Sequence, residues 1–450
     1  MAVWRIPAVA LVLAVAAGSA AAQNHTLAEP VKAGDCFRYQ IDMSLAGEMR
    51  FQQDGKATTR KLAATASHQF PERVLAAAST GLAEKTARRY ETAKAVITLG
   101  NDKTERTLRA ERRLIVAQRH KDDFVVYCPG GPLTREELEL VAEHFDTLAL
   151  TGLLPGKAAA VGDTWKIPNA VAQALCNFEG LTEQSLTGKL EEVQGDTARL
   201  SVTGTASGIE QGALAKLTIK ATCRFDLKAK RLTAVEWSQT DERDQGPASP
   251  AAATQITVTL KRTAIEEPSS LSDVALVSVP QGLEKPPQSM TDLSYADPKD
   301  RFVLVHGREW QLVGQTEEHT VLRLMERGDF VAQVTITPWD KAEKGKHLTP
   351  EQFKEAMAKT PGWEVEKEVQ AGEVPADGGK WAYRLSALGK LDDVPVMQNF
   401  YLIAGPNGDQ VVLVFTMAPK QADRLGSRDL ALAGSIEFAP AGGGEKPKQP

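Results

Sequence analysis

The sequence has little of what usually announces chemistry. Its 450 residues hold seven histidines and four cysteines, and aromatic residues make up 6% of the chain. The histidines, His25, His68, His120, His144, His306, His319 and His347, are scattered, and none lies three to five residues from another. That spacing supports no metal site. His-Glu-x-x-His occurs nowhere, and an inverted His-x-x-Glu-His fails because position 140 is Leu140. Gly-x-Ser-x-Gly is absent, and the nearest segment, Gly204-Thr205-Ala206-Ser207-Gly208, has the wrong spacing for a nucleophile elbow. No Gly-x-Gly-x-x-Gly follows a strand, and Cys-x-x-Cys is missing. The run from Gly152 to Ala158 is a poor phosphate loop: its glycines are too close, no Ser or Thr follows Lys157, and Pro155 removes an N–H from the cradle. No catalytic residue, metal or cofactor is expected.

Charge of one sign is also scarce. Lys and Arg total 53 against 58 Asp and Glu, a net charge of −5. A mildly acidic surface repels phosphate backbones, so nucleic acid is not an expected partner. The densest basic run, Arg106, Arg109, Arg112, Arg113 and Arg119, is interleaved with Glu105, Glu111, Asp122 and Asp123 and reads as a solvated face. Long hydrophobic runs are missing after the first residues. The N-terminus itself carries Arg5, an apolar stretch from Ile6 to Ala17, and small residues ending at Ala22. This is the layout of a cleaved leader, too short to span a bilayer, and it predicts a signal peptide over 1–22 and a periplasmic or secreted protein. No transmembrane segment is expected after cleavage. Cys36 lies well past the cleavage site, so lipidation is not expected.

An exported chain permits disulfides. Cys36, Cys128, Cys176 and Cys223 allow three connectivities, and the sequence does not choose among them. Leu217, Ile219, Ala221, Cys223 and Phe225 share one face of a period-2 strand, which points Cys223 inward, where Cys176 of VAQALC could meet it. That favours Cys176 with Cys223 and Cys36 with Cys128. The alternative is four free buried thiols.

Hydrophobic period then gives the organisation. Phe37, Tyr39, Ile41 and Met43 alternate as in a half-buried strand, and YETAKAVITLG, TLRAERRLIVAQR and FVVYCP follow with short polar turns. In GPLTREELELVAEHFDTLAL the period changes: Thr134 and Glu137 match a capping box, and Leu138, Val141, Ala142, Phe145 and Leu148 fall at helical spacing. A second short helix starts near Asn169, and strands resume to about Ile265. Residues 266–292 carry Pro268, Pro280, Pro286 and Pro287 and read as an extended linker, with only ALVSV as a possible strand. Beyond it come RFVLVHGREWQLV, a helix capped by Thr349, Pro350 and Gln352, and a hairpin turning at Pro406-Asn407-Gly408. A final helix starts near Lys420. The expected fold class is α+β: a domain over 29–265, a linker over 266–292, a second domain over 293–439, each an antiparallel sheet packed with helices, and a disordered tail over 440–450.

The second unit resembles the PsbP-like fold, the antiparallel sheet flanked by helices of the photosystem II extrinsic protein and of many exported bacterial proteins. The residues that carry this are Phe302-Val303-Leu304 followed by Trp310, the hairpin strands around Tyr401 and Val412 to Thr416, and the closing Ser435-Ile436-Glu437-Phe438. The resemblance implies an exported accessory or binding module without catalytic residues. The first unit resembles secreted bacterial domains of unknown function through its Gly162-Asp163-Thr164-Trp165 turn. The expected function is therefore non-catalytic binding or an envelope accessory role, with an envelope protein or a lipid as partner. Two alternatives are a hydrolase assembled from distant residues around Glu143, His144 and Asp146, and a lipid carrier. Trp339, where a strand gives way to the charged PWDKAEKGK segment, is the expected exposed binding aromatic.

Overall fold

The computed structural model describes residues 23–53, 56–120, 123–142, 146–246, 249–326 and 328–439. The leader over 1–22 and the tail over 440–450 lie outside them. Strands take up 55% of the described residues and helices 14%, so the expected α+β class is corrected to a predominantly antiparallel β-architecture. The reason is local. The helices are short, and residues 56–77 and 83–89, rich in alanine and charge, are strand although they lack the aliphatic contrast by which a strand is usually read.

The first unit is a 14-stranded sheet. Its main strands are β1 (Cys36–Gln53), β2 (Lys56–Ala77), β3 (Ala83–Arg89), β4 (Thr92–Leu99), β5 (Asp102–Thr107), β6 (Leu114–His120), β7 (Asp123–Tyr127), β8 (Thr187–Gln194), β9 (Thr197–Glu210), β10 (Ala213–Asp226), β11 (Arg231–Arg243) and β12 (Ala251–Ala264). The hydrogen-bonded order is β8-β9-β10-β11-β12-β1-β2-β3-β6-β7, with β4 also on β2 and β5 on β4. Every pairing in it is antiparallel, through hairpins between most neighbours and by closure of β12 on β1. Alternation is strict where the pattern is strongest: on β10 the expected Leu217, Ile219, Ala221, Cys223 and Phe225 all face the core.

One face of this sheet is covered by α1 (Arg135–Ala142), a 3-10 segment (Thr147–Leu153) and α2 (Asn169–Leu175), which share one hydrophobic core with the strands. Helix α1 starts where expected: Thr134 Oγ1 accepts from Glu137 N at 3.2 Å, and the Glu137 carboxylate accepts from Thr134 N at 2.9 Å. Trp165 of the Gly162–Trp165 turn donates from Nε1 to Leu153 O at 3.0 Å and lies flat on Gly188, where any side chain would collide with the ring.

Residues 266–292 form no strand at ALVSV. They run along the first sheet, burying Leu271, Leu276 and Val279 against Ala87, Val116 and Tyr127. Arg73 donates to Leu271 O at 2.8 Å, Lys85 to Pro280 O at 2.6 Å, and Gln118 to Glu284 O at 2.8 Å. A segment short of side-chain pattern is held by its carbonyls, which is why periodicity did not reveal its attachment.

The second unit is built on a seven-stranded sheet of β13 (Trp310–Gln315), β14 (Thr320–Glu326), β15 (Asp329–Trp339), β16 (Trp363–Glu373), β17 (Trp381–Leu391), β18 (Val394–Ala404) and β19 (Gln410–Met417), in the order β13-β14-β15-β19-β18-β17-β16, and a three-stranded sheet of Leu293–Ala296, Phe302–His306 and Glu437–Phe438. Helix α3 (Pro350–Ala358) carries the complete Thr349/Gln352 capping box and buries Phe353 and Met357 on one face. The closing α4 (Arg428–Gly434) packs on the other. The units grip each other reciprocally: Arg135 of α1 donates to the carbonyls of Arg308 and Trp310 at 3.0 and 2.9 Å, and Arg308 donates back to Val126 O at 2.5 Å. Among the described residues no helix is long and apolar enough to cross a membrane.

Candidate functional site

Strand register places two rows of side chains side by side across five strands of the first sheet. One row is Trp237, Val258, Met43, Ala66 and Ala95, and the next is Gln239, Ile256, Leu45, Ala64 and Ile97. These residues floor a cavity of about 240 Å³ beneath the helical layer. Its roof is Leu140 of α1, Leu175 of α2 and Cys176 just after it; Arg106 of β5, Glu139 and Asn177 supply polar groups. The space exists because β2 carries Ala64 and Ala66 here. Further along the same face, β2 carries His68 and Phe70, which with Ile41 and Tyr39 fill the layer.

At the cavity edge Arg106 Nη1 meets Glu139 Oε2 at 2.6 Å, tying the β5 strand to α1, and both are about a quarter exposed. Beside it Arg109 forms a fork on Glu137, at 2.7 Å through Nε and 2.6 Å through Nη2. Burial opposes the Glu137 charge, but Arg109 and the Thr134 and Arg109 N–H groups hold the carboxyl below its ordinary range. One row further out on the same face, Asp241 stands in register with Thr254. Burial and the nearby Glu210 push its carboxyl up to about 7 despite Arg243.

The filled end of the layer is polar and dry. Glu72 and Arg88 face each other across β2 and β3 at 2.8 Å, and both are nearly inaccessible. Thr86 and Thr147 hydroxyls donate to the same Glu72 oxygen at 3.1 and 3.0 Å, and Arg88 Nη2 donates to Thr147 Oγ1 at 2.7 Å. Burial works against the Arg88 charge, but Glu72, with Tyr90 and Asp146, more than offsets it, so the guanidinium is held above its ordinary value. Asp146, whose carboxylate pairs with Arg119 and caps Leu148 N, is pushed up by burial all the same.

Two buried histidines make stability depend on acid. Burial lowers His68 to about 4 although it contacts Leu140 O at 2.9 Å, and it lowers His306 in the second unit to about 4. Unfolding restores both to near 6.5, so the unfolded chain binds more protons between those values. Their contribution is complete above pH 6.5 and is lost as pH falls through that window to about 4, at a cost of order 3 kcal/mol for each. Urea midpoints measured from pH 7 to 4.5 are expected to fall steadily, and His68→Leu to flatten the slope; an unchanged slope in that variant contradicts the assignment.

The cysteines are not paired. All four are free and buried, which corrects the expected disulfides. Cys223 stands in register with Val235 on the sheet, whereas Cys176 belongs to the helical layer, where it lines the cavity over Trp237 and Gln239. Cys36 begins a row that runs through Arg73, Ala87 and Val116 to Tyr127, the neighbour of Cys128, across four strand spacings or about 19 Å. That separation far exceeds the ~7 Å Cα limit for a bridge. Burial pushes the Cys176 and Cys223 thiols up to about 12, the behaviour of inert core residues.

Trp339 is half-buried. With Thr335, Thr337, Val412, Val414 and Met357 it lines an open groove of about 790 Å³ beside α3 in the second unit. Glu143 and His144 lie outside the described residues, and Asp146 serves as a helix cap. The cavity floor is what sequence reading missed: Leu62, Ala64, Ala66, His68 and Phe70 do alternate along β2, but three of the five carry little apolar contrast.

No protein-family model matches the chain, and no curated protein matches it. Among solved structures, the cyanobacterial PsbP of Synechocystis is 17% identical over 33% of this chain and 93% of its own, with a TM-score of 0.27. The Ran-binding protein Mog1p of Saccharomyces cerevisiae is 11% identical over 33% of this chain and 96% of its own, with a TM-score of 0.26. A DUF1329 family protein from Desulfovibrio piger is 12% identical over 54% and 92%, with a TM-score of 0.11. At these TM-scores the likeness carries no argument about this chain.

Proposed function

We propose that the protein is an exported, non-catalytic binding protein that takes up an acyl chain in the cavity between its first sheet and helices α1 and α2. The leader-like N-terminus supports export to the periplasm or beyond. The observation that carries the binding reading is the floor: two register rows of alanine, aliphatic and tryptophan side chains that leave space beneath a helical roof. A sheet builds such space only where small residues replace large ones, and dry apolar space accepts apolar ligands. At ~30 Å³ for each water-sized group, the cavity takes about eight methylenes. At ~0.8 kcal/mol each, their burial supplies about 6 kcal/mol before the cost of association.

The test is native mass spectrometry of the protein purified from its export compartment, with titration of an environment-sensitive fluorescent decanoyl probe. One probe per chain, displaced by unlabelled acyl ligand, is the expected result. Absence of co-purified lipid together with no saturable probe binding at millimolar concentration would sink the reading.

A further inference from the structure

Provided the acyl-chain reading above holds, the backbone just after α2 shows where the rest of the ligand goes. Cys176 lines the cavity, Phe178 lines a second and larger space, and the exposed Asn177 between them borders both. That second space is a cleft of about 1010 Å³ where the two units meet, lined from one side by Asn177 and from the other by Lys285 and Arg308. At ~30 Å³ for each water it has room for about thirty waters, and its lining is rich in charges and amides, so it suits a polar head and not a second chain.

Arg308 supplies an open donor there. Its Nε is spent on Thr291 O at 2.6 Å and its Nη2 on Val126 O at 2.5 Å, whereas Nη1 has no partner among the described residues and is not sealed from solvent. No carboxylate forms an ion pair with this guanidinium among the described residues, and burial, with Arg135 nearby, pushes its pKa down to about 10 against the pull of Asp292. A half-buried cation held only by carbonyls is stabilised by an incoming anion. The other charges decide the rest of the head. Arg119 is taken by Asp146 and Glu210 by Arg243, which leaves Lys285 and Arg308 against Glu179, Asp292 and Glu309. A purely anionic head would meet those carboxylates with nothing to offer them, and a purely cationic one would meet Arg308. A head that carries both signs satisfies both sets.

We propose that the ligand is a single-chain amphiphile with a zwitterionic phosphate–ammonium head: its chain lies in the cavity, and its head passes Asn177 into the cleft. There the phosphate accepts from Arg308 Nη1 beside Lys285, and the ammonium sits among the carboxylates.

The experiment compares decanoyl lysophosphatidylethanolamine, decanoyl lysophosphatidylglycerol and monodecanoylglycerol by calorimetric titration of the full exported chain at pH 7, below the concentrations at which they self-associate. One charge-assisted hydrogen bond is enough for the zwitterion to bind about tenfold more tightly than the uncharged ester, and the anionic lysolipid is expected between them. R308Q should lower zwitterion affinity about tenfold, to that of the ester. Arg308 also joins the units through Val126 O, so thermal melting checks the fold, and K285E at the exposed lysine, expected to weaken the zwitterion about threefold, serves should R308Q not fold. Monodecanoylglycerol binding as tightly as the zwitterion, the anionic lysolipid binding as tightly as the zwitterion, or folded variants leaving the ratios unchanged overturns the proposal while leaving acyl binding intact. Binding of none of the three overturns the acyl-chain reading and this one with it.

Discussion

Glu72→Ala is expected to cost the first unit about 3–5 kcal/mol of stability, read as a drop in its urea midpoint by far-ultraviolet circular dichroism. The variant leaves the Arg88 guanidinium buried with no carboxylate, and it strands the Thr86 and Thr147 hydroxyls that donate to the same oxygen. Arg88 has no route to water: it is wedged over the Phe70 ring at 5.6 Å and fixed to Thr147. The loss measures the stranding of a charge, since well-packed apolar residues can replace a buried pair at little cost. The double variant Glu72→Met with Arg88→Met is therefore expected to recover most of the stability. A single variant losing under 1 kcal/mol, or a double variant worse than either single, contradicts this account. The network also joins β2 and β3 to the 3-10 segment Thr147–Leu153, so it fixes the helical layer on the sheet at the filled end, next to the open cavity.

What the sequence disclosed depended on contrast. The alternation of Leu217 to Phe225, the Thr134 and Thr349 capping boxes and the turn at Pro406-Asn407-Gly408 are local signals, and each formed where it was read. The α+β expectation fails because β2 and β3 carry their pattern in Ala64, Ala66, Thr86 and Ala87, residues that no apolar period separates from loop. The cavity was hidden by the same fact, since a site made of missing volume is written in small residues. Its long-range parts were out of reach for another reason. Arg106 lies 33 positions from Glu139, and Ala66 meets Met43 and Ala95 only through register, which depends on the whole sheet. The disulfides failed similarly: Cys223 does point inward from β10, but facing inward does not by itself bring two sulfurs together, and all four thiols are free.

Ala66→Phe is expected to abolish acyl binding without unfolding the protein. Position 66 lies in the row between Met43 and Ala95, on the cavity floor, and its methyl group is what leaves the space open. A phenyl ring there occupies the room of about four methylenes, which at ~0.8 kcal/mol each removes about 3 kcal/mol of binding, a fall in affinity of roughly a hundredfold. Enlarging a packed core position ordinarily costs about 1–3 kcal/mol through strain; here the ring enters space that is already empty, so the urea midpoint should hold or rise slightly. Ala63→Phe supplies the control, because Ala63 is exposed on the opposite face of the same strand and should leave probe binding unchanged. The two readouts thus separate the site from the fold. Decanoyl probe binding at wild-type affinity in a folded Ala66→Phe protein would place the ligand elsewhere, and an equal loss in Ala63→Phe would show that the strand, not the cavity, had been disturbed.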